Sequence, residues 1–410
     1  MERLIYHIDV NNAFLSWEAL KRLEEDPSST DIRTIPSAIC GDPTKRHGII
    51  LAKSPIAKQY HVTTAETIQS ALKKCPALQL YPSRHALYQE YSNQFHHLLT
   101  QYSDCCEPFS IDEAFLDMTS SYHLFGDKIS AAYHIQKTIY DTLGFTVNVG
   151  ISTNKLLAKM ASDFEKPYKV HTLFPDELPE KFWPLPIERL LFAGHATCEK
   201  LHKLGIHTIG ELAHTDPAYL KPHLGKNGIV LHDYANGIDS SPVQQEQPDA
   251  KGYSNSITID HDITDAVDAK HILLSLSETV GFRMRRDQVH ASVISIQMKD
   301  CFFKKQSRQC SLTDATNSTQ EIYQYCCRLF DLLWDQKTPI RLLGVHAGKL
   351  TSDQFSQLSL FDNANNQNEK LEQALDQIRT KYGNTSIIRA SFLKSDHTPI
   401  NERHLPKKET

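Results

Sequence analysis

The adjacent acids Asp112 and Glu113 sit inside an otherwise apolar, strand-like run, Ser110-Ile111-Asp112-Glu113-Ala114-Phe115-Leu116-Asp117. Side chains alternate between faces along a strand, so a strand with one face in a core has no ordinary reason to carry two neighbouring carboxylates. The pattern fits the rim of a tight hairpin where acids meet a cation. A second run, Leu4-Ile5-Tyr6-His7-Ile8-Asp9-Val10, is an apolar strand that ends on one acid. If the two strands are neighbours, Asp9, Asp112 and Glu113 converge. Three hard oxygen ligands with room for phosphate oxygens describe a Mg²⁺ site for phosphoryl transfer.

The chain has 410 residues, too many for one ordinary core and enough for roughly two to four domains. Its hydrophobic fraction of 40% and charged fraction of 23% exclude a disordered or fibrous chain. No apolar run reaches the roughly 18 residues of a membrane span, so no membrane partner is expected. The N-terminus enters a strand with no signal-peptide pattern. Nine cysteines, including the pairs Cys105-Cys106 and Cys326-Cys327, show no CxxC spacing. They read as reduced thiols of a cytoplasmic protein, not as a disulfide frame or a zinc site. The formal net charge of −5 argues weakly against nucleic acid. Local charge is the better guide, and Arg283, Arg285, Arg286, Lys299, Lys304, Lys305 and Arg308 form a basic cluster.

Strands and helices alternate through about residue 165, the pattern of an α+β domain. A capping-box pattern at Thr63-x-x-Glu66 opens one short helix. Residues 184–240 read as short helices with turns at Gly194 and Gly225. Residues 241–252 are polar and contain proline, a linker. An α+β pattern returns over 253–350, and the chain turns polar from 351, with Asn363-Ala364-Asn365-Asn366-Gln367-Asn368 as a spacer.

Three ordered motifs carry a family resemblance: Asp9-Val10-Asn11-Asn12-Ala13-Phe14, Ser110-Ile111-Asp112-Glu113-Ala114, and Gly150-Ile151-Ser152-x-Asn154-Lys155-x-x-Ala158-Lys159-x-Ala161-Ser162-Asp163. Over about residues 1–350 the chain resembles the Y-family translesion DNA polymerases, of the DNA polymerase IV type found in Gram-positive bacteria. The resemblance implies a multidomain α+β right hand with a ferredoxin-like palm (1–10 and 78–170), small fingers (11–77), a helical thumb (171–240), a linker (241–252), an α+β little finger (253–350) and a flexible tail (351–410). It implies a monomeric DNA-directed DNA polymerase of low fidelity, acting on primer-template DNA and dNTPs with two Mg²⁺ ions.

Carried over position by position, the resemblance makes Asp9, Asp112 and Glu113 the catalytic and metal-binding acids, with the Val10 carbonyl as a backbone ligand. Asn12, Ala13 and Phe14 line the nucleotide, and the Phe14 ring excludes a 2′-hydroxyl by steric clash. Lys58 and Lys159 are the cations of the triphosphate. Lys58 replaces a usual Arg and so lacks its bidentate fork. Pro55 replaces a usual Tyr and offers no hydroxyl, leaving Ser54 or Lys53 to compensate. Leu190–Thr197 followed by Leu204–Ile209 resembles a helix-hairpin-helix, with Gly194 and Ala196 presenting backbone N–H groups to a DNA phosphate and Phe192 standing where the first glycine usually is. Arg283, Arg285, Arg286, Lys304, Lys305 and Arg308 are the little-finger cations expected on DNA. Gln357, Leu358, Leu360 and Phe361 resemble the motif that binds the bacterial sliding clamp, its beta subunit. Two other readings compete. A non-catalytic, clamp-bound scaffold would have lost its acids, which this chain keeps. A nucleotidyl cyclase would leave the thumb hairpin, basic cluster and clamp motif without purpose.

Overall fold

The computed structural model describes residues 3–42, 48–245, 249–352, 365–383 and 386–392. The chain divides into two compact units whose main boundary in sequence lies between residues 247 and 248.

Among its described residues the first unit holds two sheets and ten α-helices. A five-stranded sheet is built from β1 (Ile5–Val10), β5 (Cys106–Pro108), β6 (Glu113–Asp117), β7 (Val147–Ser152) and β8 (Val170–Thr172), in the order β5-β6-β1-β7-β8. One face buries Tyr6, Ile8 and Val10 against α1 (Ala13–Glu25), α4 (His85–Leu99) and α5 (Lys128–Leu143). Local chemistry sets the ends of α5. The Asp127 carboxylate accepts from the Ile129 and Ser130 N–H groups, and Gly144 closes the helix at a φ of 77° that suits glycine. On the opposite face lies α6 (Lys155–Ser162), capped by Asn154, whose side chain accepts from Leu157 N.

A smaller sheet of β2 (Ser37–Cys40), β3 (Ile50–Lys53) and β4 (Gln79–Pro82) packs with α2 (Pro55–Gln59) and α3 (Ile68–Lys74). Because β4 pairs in parallel with β2, residues 79–82 belong to this small sheet rather than to the larger domain to which the sequence boundary at 77 assigned them. Four short helices follow: α7 (His195–Lys203), α8 (Ile209–His214), α9 (Pro217–Leu224) and α10 (Lys226–Ala235). They share one core with Leu156, Leu157 and Met160 of α6.

The expected linker begins later than residue 241. Val243 is buried with Ile5, Phe115 and Ala158. Gln244 N donates to Glu107 at 2.8 Å, and Lys155 pairs with the same carboxylate at 2.7 Å. An apolar side chain and a partly buried ion pair hold this stretch to the first unit.

The second unit is a four-stranded antiparallel sheet, β11-β10-β12-β9, of β9 (Gly252–Ile263), β10 (Val289–Asp300), β11 (Lys305–Thr316) and β12 (Ile340–Ser352). One face packs on α11 (Ala266–Arg286) and α12 (Thr319–Leu333) through Ile294, Ile296, Met298, Leu343 and Val345. The tail after 351, expected to be flexible apart from a short helix at 369–381, holds α13 (Asn365–Tyr382), a longer helix tied to the helical layer. Arg285 of α11 pairs with Glu372 at 3.0 Å and Asp376 at 2.6 Å. Glu372 also accepts from the Thr319 N–H that opens α12. Glu278 pairs with Arg389 at 2.5 Å and lies 3.7 Å from Arg379. Burial pushes the Glu372 carboxyl up, and Arg285 opposes that shift. Residues 357–361, the expected clamp motif, lie outside the described residues.

Candidate active site

Strand register builds the site. Asp9 of β1 stands directly opposite Glu113 of β6 on one side and Asn148 of β7 on the other. Opposed residues of an antiparallel pair point to the same face, so Glu113, Asp9 and Asn148 form a row across three strands. Asp112 enters β6 from a tight loop, and its backbone carbonyl accepts from Val10 N at 2.9 Å. The carboxylate of Asp112 accepts from the Ser110 hydroxyl at 2.7 Å.

The helix α6 lies over this row because Gly150 lets it approach. A Cβ on Gly150 would stand 2.0 Å from the Ala158 carbonyl oxygen and 2.4 Å from Ser162 N. The approach brings the Lys159 ammonium within 3.2 Å of Asp9 and 2.5 Å of Glu113. It also brings the Ser162 hydroxyl within 2.8 Å of Nδ1 of the fully buried His7. Lys166, from the loop after α6, reaches Asp9 at 2.9 Å and Asp163 at 2.8 Å.

The electrostatics follow from burial and these contacts. Burial and the neighbouring Asp9 carboxyl push Glu113 up to about 7, against the pull of Lys159. Burial alone would raise Asp9 as well, but Lys166, Glu113 and Lys159 together hold it below the usual carboxylate value. Lys159 is raised: burial favours its neutral form, and Asp9 and Glu113 outweigh burial. Burial and Lys159 keep His7 far below its ordinary value, so it is neutral.

The three acids therefore do not all converge on one another. Asp9 and Glu113 share the Lys159 ammonium, while Asp112 is turned to Ser110. Among the described residues no three His, Cys, Asp or Glu side chains form a metal-ligand cluster. The donor set nevertheless suits a divalent cation. It supplies hard carboxylate oxygens, with Asp9 and Glu113 opposed on neighbouring strands and Asp112 one residue before Glu113.

Lys166, 2.9 Å from Asp9, also lines a cavity of about 470 Å³ together with Lys58, Asp163, Phe164, Glu188 and Arg189. Lys159 instead lies buried between Asp9 and Glu113. Ser54 is buried and committed, because its hydroxyl caps α2 through Ala57 N and accepts from Ser37 N. Lys53 Nζ donates to the Thr64 hydroxyl at 3.2 Å. Asn12 takes a left-handed conformation (φ 55°) and donates from its amide to the Lys53 carbonyl, joining β1 to the small sheet. Ala13 is buried. The Phe14 ring is partly buried and stacks on Tyr88 at 4.6 Å between centroids.

In the helical region Gly194 caps α7 with its carbonyl, and the first N–H groups of such a helix, Ala196 among them, have no intrahelical acceptor. Phe192 is exposed with φ 66°, a backbone state that glycine ordinarily supplies, so the turn keeps its shape without that glycine.

In the second unit the basic residues separate. Arg285 is buried and spent on α13, which removes it from the expected DNA contacts. Arg308 lies opposite Ile296, on the helical side of the sheet, and donates to the Leu332 carbonyl. Arg286 pairs with Asp287, and Arg283 donates to Ser254 O beside the Tyr253 ring. Lys304 is exposed in the β10–β11 turn. Lys305 and Lys299 lie opposite one another on the open face of the sheet. There they continue into small polar residues, Ser295, Gln297, Ser307 and Gln309 of β10 and β11 and Ser254, Ser256 and Thr258 of β9. Sequence reasoning missed this open face, whose only signal is period-two alternation, and it missed Lys166, an isolated lysine that reads as a solvated charge.

Residues 8–163 match the family model described as the impB/mucB/samB family, and residues 250–360 match its C-terminal domain. A DNA polymerase IV of Clostridium acetobutylicum is 41% identical over 397 residues, covering 97% of this chain and 100% of that protein. The chain belongs to this family, in its DNA polymerase IV branch. A DNA polymerase IV 2 of Bacillus subtilis is 37% identical over 401 residues, 96% of this chain and 95% of that one. Among solved structures, a Y-family DNA polymerase chimera aligns with a TM-score of 0.74 at 22% identity, over 85% of this chain and all of that chain. The fold is thus that of the Y-family polymerases, with Asp9 and Glu113 on the five-stranded sheet of the first unit and Asp112 at its edge. Among the described residues no helix is long and apolar enough to cross a membrane.

Proposed function

We propose that the palm acids carry nucleotidyl transfer onto a primer 3′-hydroxyl with two Mg²⁺ ions, and that the sliding clamp recruits the enzyme. Membership of the DNA polymerase IV branch makes the chain a DNA-directed DNA polymerase of the translesion type. The reaction of the family depends on a divalent metal. The observation that carries the reading is the row formed by Glu113 and Asp9, with Asp112 one residue away at the head of β6. Those three carboxylates and the Val10 carbonyl would hold the ions. Bound ions would make the 3′-hydroxyl a better nucleophile and stabilise charge on the leaving pyrophosphate.

The remaining residues bind and orient. Lys58 and Lys166 line the cavity beside Asp9 and are placed to grip the triphosphate. Lys159, nearly buried between Asp9 and Glu113, is better suited to orient those acids than to hold phosphate. The open face of the second unit, with Lys299 and Lys305 at one end and short hydroxyl side chains along it, suits close approach to a duplex backbone without base reading. A primer-extension assay with Mg²⁺ tests the whole reading. Template-directed extension is expected, and its absence in folded, DNA-binding protein would overturn it.

Two finer roles have their own tests. Phe14→Ala is expected to open space at the 2′ position and lower the dNTP-to-rNTP efficiency ratio by at least about tenfold, as steric discrimination of more than 1.4 kcal/mol implies. An unchanged ratio would make Phe14 only a packing partner of Tyr88. Replacing Leu360 and Phe361 with Ala is expected to abolish clamp binding and clamp-stimulated synthesis while leaving basal extension intact, because apolar anchors carry most of such an interface. Equal retention of both proteins on immobilised clamp would remove the clamp as a partner.

A further inference from the structure

The loop that carries Lys166 is held from beneath by buried amides. Asn148, fully buried and opposite Asp9 on β7, donates to the Ser162 carbonyl at 3.0 Å and the Glu165 carbonyl at 2.7 Å. Its own oxygen accepts from Lys169 N at 3.2 Å and from the Asn11 amide at 3.1 Å. The Asn11 oxygen in turn accepts from Tyr168 N at 2.9 Å. Tyr168 has φ 60°, an unfavourable state for a bulky side chain that persists only where the surroundings fix it. One side chain thus grips the loop 163–169 before and after Lys166.

We propose that Asn148 is a positioning residue for nucleotide binding: it fixes the loop 163–169 and thereby places the Lys166 ammonium beside Asp9 and on the wall of the cavity. This rests on the reading that Lys166 holds the triphosphate. A small side chain at 148 would leave the Ser162 and Glu165 carbonyls without their donor and free the loop on both sides of the lysine. An ammonium on a long stem grips a phosphate well only if its anchor point is fixed, since ordering a loose loop subtracts from binding. A fully satisfied buried amide supplies that anchor, and neither an apolar side chain nor a shorter hydroxyl can make all four bonds.

The test is a cycle of Lys166→Ala, Asn148→Ala and the double variant, read by steady-state incorporation of one dNTP on a primer-template. Lys166→Ala is expected to raise the dNTP KM about tenfold or more, the scale of one charge-assisted contact. Asn148→Ala is expected to raise the same KM several-fold, with a smaller change in kcat and unchanged DNA affinity. The double variant is expected to be no worse than Lys166→Ala alone, because groups that act through one contact are not additive. An unchanged KM in Lys166→Ala would overturn the triphosphate reading itself. A raised KM in Lys166→Ala with an unchanged KM in Asn148→Ala, or with fully additive effects, would overturn only the positioning role. If Asn148→Ala does not fold, Asn148→Ser decides: its single hydroxyl should give an intermediate KM, and a wild-type KM would overturn the proposal.

Discussion

Asp9→Asn is expected to reduce single-nucleotide incorporation by at least about a thousandfold, equivalent to roughly 4 kcal/mol of transition-state stabilisation. Asparagine keeps the shape of aspartate, so β1 and its register with β6 and β7 stay in place. What changes is charge. Asp9 is held ionised by Lys166 and Lys159, and an amide in its place presents one neutral oxygen where a carboxylate would hold a divalent ion. Affinity for primer-template DNA should persist, because the proposed DNA contacts, at α7 and on the open face of the second unit, are remote in sequence from this row. The measurement is single-turnover incorporation with Mg²⁺, alongside DNA affinity and a thermal melt. Wild-type incorporation in a folded variant would remove Asp9 from the chemistry.

Gly150→Ala is the second large effect, and it contains no change of charge. The new methyl would meet backbone atoms of α6 at 2.0 Å and 2.4 Å, and backbone cannot step aside as a side-chain tip can. The helix must lift, carrying Lys159 away from Asp9 and Glu113 and breaking the Ser162–His7 hydrogen bond. Overpacking of this kind costs about 1–3 kcal/mol or more. Activity is expected to fall at least about a hundredfold, the scale on which misplacement by one ångström acts. Denaturant melts and primer extension read the two effects. Gly194→Ala is the stability control, since its added Cβ meets nothing within 4 Å and its φ is an ordinary −70°. Equal stability and activity of Gly150→Ala and wild type would mean that α6 does not ride on the sheet as described.

The acids were legible in sequence because carboxylates are rare in apolar strands, so Asp9 and Glu113 stand out and two-residue periodicity puts them on one face once the strands pair. Lys166 was not legible, because a lysine in a loop ahead of a proline looks like any solvated charge. Its significance comes from a 2.9 Å contact across 157 positions of sequence. Asn148 was hidden for a similar reason: a polar residue within a strand says nothing about which backbone it will bind. Arg285 was misread for the opposite reason. It belongs to a conspicuous basic run, but its partners Glu372 and Asp376 lie 87 and 91 residues downstream, beyond a stretch that reads as a spacer. The position of β4 depended on a parallel pairing with β2 that no local pattern announces.

The docking of α13 bears on how the C-terminal region can be engineered. A stop codon after Ser352 is the obvious way to delete the proposed clamp motif, yet it would also strip Glu372 and Asp376 from Arg285 and both arginines from Glu278. The truncation removes these ion pairs together with the acceptor of the Thr319 N–H that opens α12, so it takes away contacts on which the helical layer rests. A truncated enzyme that ignores the clamp would then report a damaged domain as readily as a missing motif. Point changes at Leu360 and Phe361, or removal of residues between 352 and 365 with α13 retained, separate the two. By the same logic, a fusion partner or affinity tag belongs beyond residue 392, where it leaves the arginine latch closed.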